Sequence, residues 1–278
     1  YYDDSGALRD MLQNHLLQIV AHVAMEPPIN ADAQSIRDEK LKLFQSIRPI
    51  KEEDVPKYVI RGQYTSADVD GEMVKGYREE QGVPKNSKTE TYVAVKFFID
   101  NWRWADVPFY IRTGKLLPSK VTEIAVHFKL PPHHLFQRET GMSNEMNKMI
   151  IRIQPEESLA LKFGMKVPGQ GFRVKNVDMD FYYSDLTEAY VPEAYERLLL
   201  DVIKGDATLY ARGDSVEAAW RFVDPIINAW ENNPNIKLYG YPAGSWGPEV
   251  ADEMIDKVKT WHNPCAPLTG QQKFQEIK

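Results

Sequence analysis

Asp4-Ser5-Gly6-Ala7-Leu8-Arg9-Asp10-Met11-Leu12-Gln13-Asn14-His15-Leu16-Leu17-Gln18-Ile19-Val20-Ala21-His22-Val23-Ala24-Met25-Glu26, closed by Pro27-Pro28, is the stretch that decides the fold. Asp4 or Ser5 can cap a helix N-terminus, the interior is rich in Leu, Ala, Met and Gln, and the double proline cannot continue an α-helix. The spacing predicts one α-helix of about six turns. Leu8, Met11, Leu12, His15, Ile19 and His22 follow the i, i+3/i+4, i+7 pattern of an apolar stripe, which puts His15 on the face expected to be buried. Asp10, five residues earlier, falls about 140° round the axis at ~100° per residue.

An imidazole on such a stripe reads in two ways. It is either a core side chain satisfied by one hydrogen bond, as buried polar groups are, or a general base, a partly desolvated imidazole able to take a proton near neutral pH. Spacing alone does not decide between them.

Bulk composition narrows the classes. The chain has 278 residues, 43% of them hydrophobic and 27% charged, as in a globular protein that can bury a core. No run approaches the ~20 apolar residues of a membrane span. The formal charge of −6 is mild, and Lys and Arg are scattered among acidic residues, so neither nucleic acid nor membrane is expected as a partner. The single cysteine, Cys265, cannot form an internal disulfide, and with no secretion signal the expected compartment is cytoplasmic. The chain opens at Tyr1, one turn before a helix cap, and further chain is expected upstream.

Beyond Pro27-Pro28, Asn30 or Asp32 can cap a second helix through Ser35 to Phe44, with Pro49 after its end. Tyr58 to Tyr64 reads as a strand and Thr65 to Asn86 as an excursion with turns. The period then changes. Thr91 to Ile99, Val107 to Thr113, Val121 to Lys129, Met149 to Gln154, Leu159 to Met165 and Val177 to Tyr183 are short and rich in β-branched or aromatic residues. Strands in succession without intervening helices imply an antiparallel sheet. Helical periodicity returns from Pro192 to Ile203, from the Asp214-Ser215 cap to about Trp230 with Pro225 inside, and from Pro248 to about Trp261. The fold class is therefore α+β: one large, mostly antiparallel sheet with helices on one face, an N-terminal helical pair and C-terminal helices. No composition break divides residues 1–278, which are expected to form one domain.

A second locus of chemistry is Arg103-Trp104-Ala105-Asp106-Val107-Pro108-Phe109-Tyr110-Ile111-Arg112-Thr113-Gly114-Lys115, a strand running into a Gly turn, with Lys120 five residues on. The two ammonium groups are either solvated loop lysines or contacts for phosphate and sugar oxygens. His133-His134 has no third ligand in view and reads as a solvated turn. Gly244-Ser245-Trp246-Gly247-Pro248 lacks the strand and Gly-x-Gly-x-x-Gly context of a dinucleotide loop.

Tyr1-Tyr2-Asp3, Gly6 to Met11, Gln13-Asn14-His15-Leu16-Leu17-Gln18 and Ala24-Met25-Glu26-Pro27 closely resemble the first helix of the large domain in the glucose-6-phosphate dehydrogenase family. Gln63-Tyr64, Gly76-Tyr77, the Trp104 to Lys115 stretch and Pro192 to Leu198 resemble it too. The resemblance implies that His15 is the catalytic base for the sugar's C1 hydroxyl, that Asp10 holds the sugar, and that Lys115 and Lys120 contact glucose 6-phosphate. It implies oxidation of glucose 6-phosphate to 6-phosphogluconolactone with reduction of NADP, the first step of the oxidative pentose phosphate pathway.

The same resemblance places the Rossmann domain, and most NADP contacts, upstream of Tyr1. No cofactor-binding or metal residue is assigned in this chain, and the piece alone is expected to be inactive. A homodimer, or a dimer of dimers, is implied through the sheet. Arg112, Arg152 and Lys162 fit parts of a second, structural dinucleotide site found in some members, whereas Val121, Ala125 and Trp246 stand where basic residues belong. The alternative is a catalytically silent sugar-phosphate-binding or dimerisation module.

Overall fold

The computed structural model describes residues 1–130, 147–186, 194–255 and 261–264, with the backbone alone at 137–138 and 194. His133, His134, Pro192 and Cys265 lie outside the described residues. Contacts group the chain into two compact units, Tyr1–Leu117 with Pro192–Trp261, and Pro118–Val191 with His262–Lys278.

The opening stretch is not the single α-helix expected from its composition. A first turn, α1 (Tyr2–Ala7), is interrupted at Gly6 with φ 70° and ψ 173°, a π-helical segment runs from Leu8 to Leu16, and α2 covers Leu17–Ala24. The Leu17 amide donates to the Leu12 carbonyl, the i→i+5 bond that defines this winding. Burial follows the wider turn. Leu8, Leu12 with Gln13, and Leu17 are buried, so two turns take nine residues, after which Ala21 and Ala24 resume α-helical spacing. His15, expected on the buried face, is exposed for this reason: counting at 3.6 residues per turn gives the wrong phase inside a π-helix.

α3 (Ala33–Gln45) starts where its cap predicts, Asp32 Oδ1 accepting the Gln34 and Ser35 amides at 3.0 and 2.9 Å. A short α4 (Val55–Tyr58) leads into β1 (Val59–Thr65), and the hairpin of β2 (Ala67–Val69) and β3 (Glu72–Val74) follows. β4 (Tyr92–Phe98) and β5 (Pro108–Gly114) come next. The second unit supplies β6 (Thr122–His127), β7 (Gln137–Arg138), β8 (Lys148–Gln154), β9 (Ser158–Lys166) and β10 (Arg173–Tyr182). The chain then adds α5 (Ala194–Lys204), α6 (Gly213–Asn232) and β11 (Leu238–Pro242). The expected third C-terminal helix is a 3-10 turn at Glu249–Met254 among the described residues, followed by an extended Ile255.

The architecture is α+β and mostly antiparallel. The strands pair in two principal sheets where the sequence suggests one, β11-β1-β4-β5 in the first unit and β6-β8-β9-β10-β7 in the second. After β5 the chain turns through Leu116, at φ 50°, and Pro118, which has no N–H to donate to a ladder. In the first unit one sheet face presents Val93, Val95 and Phe97 to a core shared with Leu8, Leu12, Leu17, Leu43, Phe44, Phe222 and Ile226. Each fully buried leucine contributes roughly 1.5–3 kcal/mol, which docks the opening helical stretch on the sheet. The other face carries the tyrosine cluster of Tyr64, Tyr77, Tyr92 and Tyr241.

Candidate active site

The π-helical winding sets the geometry of the first site residues. Residues five apart in a π-helix stack as residues four apart do in an α-helix, so Asp10 and His15 share a face. That face is turned away from the buried seam of Leu8, Leu12 and Leu17. His15 is exposed, and Asn14 Nδ2 donates to its Nε2 at 3.3 Å in the tautomer that keeps the proton on Nδ1. Asp10 is half-buried, and its Oδ1 accepts the Tyr1 hydroxyl at 2.7 Å.

Lys115 follows directly on β5. Gly114 before it is required by packing, because a Cβ there would lie 2.8 Å from the Tyr92 ring. The Lys115 amide donates to the Thr91 carbonyl at 2.8 Å and its carbonyl accepts the Tyr241 hydroxyl at 2.8 Å. The backbone is thus fixed at both polar atoms, and the exposed side chain lays its Nζ over the Tyr2 ring, 4.5 Å from the centroid. Asp10 is held by Tyr1 and Lys115 by Tyr2, so a carboxylate and an ammonium gather at two adjacent residues. Lys120 is exposed near the start of the second unit.

The end of α2 is joined to the stretch that leads into β5. Trp104 Nε1 donates to the Ala24 carbonyl at 2.9 Å and Arg103 pairs with Glu26 at 3.0 Å. The opening helical stretch and the segment that leads to Lys115 are therefore tied together within the first unit. At the other end of the helix, Glu90 accepts the Leu8 amide at 2.9 Å. Burial pushes the Glu90 carboxyl up, opposed by that amide and by Arg61 and Arg9.

Sequence reasoning passed over three of these residues. Tyr1 and Tyr2 carry the resemblance without a role, and Glu90 has no reading in the sequence analysis. The available signal for Glu90 was a lone carboxylate abutting the apolar run Tyr92 to Val95.

The arginines and the lysine matched to a second dinucleotide site have partners within the protein. Arg112 lies over the rings of Trp246 and Trp261, at 4.7 and 4.8 Å. Arg152 pairs with Glu123 at 3.0 Å and Lys162 with Asp178 at 3.0 Å. For the first dinucleotide, the described residues contain no parallel strand, glycine turn and helix in succession, and the parallel strands β1 and β11 pair without such a unit. Among the described residues there is also no group of three or more His, Cys, Asp or Glu side chains that could hold a metal ion.

The family model described as glucose-6-phosphate dehydrogenase, C-terminal domain, matches residues 1–262. The chain is 56% identical over 265 residues to a glucose-6-phosphate 1-dehydrogenase of Aggregatibacter actinomycetemcomitans, covering 95% of this chain and 52% of that protein. It is 51% identical over 270 residues to the protein of the same name from Treponema pallidum, covering 96% and 52%. The chain thus spans about half the length of the curated relatives it matches. Among solved structures, glucose-6-phosphate 1-dehydrogenase from Mycobacterium avium superposes with a TM-score of 0.78 at 38% identity, over 96% of this chain and 52% of that one. A glucose-6-phosphate dehydrogenase in complex with its substrate glucose-6-phosphate superposes at 0.83 and 34% identity, over 95% and 52%. This chain belongs to the glucose-6-phosphate dehydrogenase family, matching its C-terminal domain.

Proposed function

We propose that this chain is the substrate-binding and dimerisation half of an enzyme that oxidises β-D-glucose 6-phosphate to 6-phosphogluconolactone. The observation that carries the reading is the π-helical turn that brings Asp10 and His15 to one solvent-facing side, with Asp10 and Lys115 collected at Tyr1 and Tyr2. His15 takes the proton of the C1 hydroxyl at Nε2. Asp10 accepts a sugar hydroxyl, and Lys115 and Lys120 supply cations for the sugar and phosphate oxygens. NADP, bound mainly by the coenzyme half of the enzyme, supplies the hydride acceptor. The reaction belongs to the cytoplasm and opens the oxidative branch of the pentose phosphate pathway.

The five-stranded sheet supports the dimer. Direct partners across an antiparallel ladder share a face, so Leu159, Leu161, Phe163, Met165, Val177, Met179 and Phe181 lie on one side of β9 and β10, with Lys175 at one end of it. Met165 and Met179 are 51% and 58% exposed. The opposite side buries Ile150, Ala160 and the Arg152–Glu123 pair. An apolar face of this extent is an association surface.

The test is His15→Asn in the protein that joins this chain to its coenzyme half. Loss of a general base lowers turnover by about 10²–10⁴, with affinity for glucose 6-phosphate retained. A comparable loss of affinity with turnover intact would assign His15 to binding. No turnover by the wild type at all would leave the silent sugar-phosphate-binding module.

A further inference from the structure

The first two residues each hold one of the charges assigned to the sugar, and they do so by different chemistry. The Tyr1 hydroxyl donates to Asp10 Oδ1 at 2.7 Å, which leaves Oδ2 to accept from a ligand. Among the described residues the Tyr2 hydroxyl makes no such bond. Its ring face lies beneath Lys115 Nζ, 4.5 Å from the centroid, so the attraction is to the aromatic quadrupole. Burial pushes the Tyr2 phenol up from its ordinary value, which keeps it neutral.

Tyr2 is itself braced. Tyr2 meets Tyr77 edge-on, with centroids 6.2 Å apart. The Tyr77 hydroxyl donates to Asp3 Oδ1 at 3.0 Å, Ser87 Oγ donates to the same oxygen at 2.5 Å, and Thr89 Oγ1 donates to the Asp3 carbonyl at 2.6 Å. Three side chains from the segment before β4 thus clamp the residue next to Tyr2. Lys115 is exposed and has four rotatable bonds, so an unbraced ammonium would lose rotamer freedom when it met a ligand.

We propose that Tyr1 and Tyr2 are positioning residues for the sugar site, Tyr1 through its hydroxyl on Asp10 and Tyr2 through its ring on Lys115. The assignment rests on the reading of Asp10 and Lys115 as sugar ligands. It makes a crossed demand that a merely structural role does not: the hydroxyl matters at position 1 and only the ring matters at position 2.

The experiment compares Tyr1→Phe, Tyr2→Phe and Tyr2→Leu, with Lys115→Ala and Asp10→Asn as controls, in the protein that joins this chain to its coenzyme half. Steady-state kinetics with glucose 6-phosphate and thermal unfolding are measured for each. Tyr1→Phe raises KM about tenfold, the loss of one hydrogen bond to a charged group, with kcat changed less than KM. Tyr2→Phe keeps the wild-type KM, and Tyr2→Leu raises it about threefold. An unchanged KM in Tyr1→Phe, or equal KM values for Tyr2→Phe and Tyr2→Leu, overturns the proposal. If the two controls also keep the wild-type KM, it is the underlying reading of the sugar ligands that fails. If they raise it and the tyrosine variants do not, only the positioning roles fall.

Discussion

The Glu90 carboxylate accepts the Leu8 amide at 2.9 Å across 82 positions of sequence, and the Glu90 carbonyl accepts the Ala7 amide at 3.0 Å. Helix N-termini leave N–H groups without intrahelical partners, and a carboxylate there also complements the helix dipole. Glu90 thereby fixes where the π-helical segment begins, and so the phase at which Asp10 and His15 emerge. The arrangement buries the carboxyl, leaving Glu90 only 8% exposed.

Burial raises the Glu90 pKa above its unfolded value, and the sign of the pH dependence follows. An acid whose folded pKa is raised stabilises the fold fully below its unfolded pKa, about 4.3, and that contribution is lost as pH rises through the folded pKa. Glu90→Gln keeps an acceptor for Leu8 and cannot ionise. Urea unfolding from pH 4 to pH 8 should show the wild type losing stability relative to Glu90→Gln as pH rises, and an opposite slope would show that Arg61 and Arg9 dominate the site. Glu90→Ala leaves the Leu8 amide unpaired and should cost about 1–3 kcal/mol at either pH.

Gly6 stands at φ 70° and ψ 173°, a region open to glycine almost alone. A Cβ there would also run into the Glu90 carboxylate. Gly6→Ala should therefore destabilise by the roughly 1–3 kcal/mol of backbone strain plus the clash. A double-mutant cycle with Glu90→Ala separates the two, since shortening Glu90 relieves the clash and leaves the strain. Additive effects in that cycle would show that the Glu90 side chain moves aside without cost.

The elements that the sequence announced are those whose signals are local. Asp32 caps α3 from two and three residues away, and β6 alternates residue by residue. The stretch from Leu8 to Leu16 reads as α-helical and not as π-helical, because Leu8, Met11, Leu12, His15, Ile19 and His22 also fit a 3.6-residue period. That ambiguity placed His15 on the wrong face while leaving its identity as the candidate base intact. β11 went unread because Gly240 and Pro242 are turn formers, and its pairing with β1 brings Arg61 to Leu238. Glu90 and Tyr2 act on partners more than eighty positions away, a distance over which one sequence carries no periodicity.

The sheet face of Met179 and the face of α5 make competing demands that one comparison resolves. Both are apolar and exposed, Met179 at 58% and Tyr195 at 81%. If copies of the protein associate through β9 and β10, Met179→Asp places a carboxylate from each copy in a desolvated apolar surface, where an unpaired charge is strongly penalised. Self-association should then weaken by at least about 2 kcal/mol, roughly thirtyfold, with the fold retained because residue 179 is not in the core. Sedimentation velocity over a range of concentrations reads the shift directly. Tyr195→Asp, on α5, should leave the sedimentation profile at that of the wild type. The reverse pattern would move the interface to α5 and leave the apolar face of the five-stranded sheet to a different occupant.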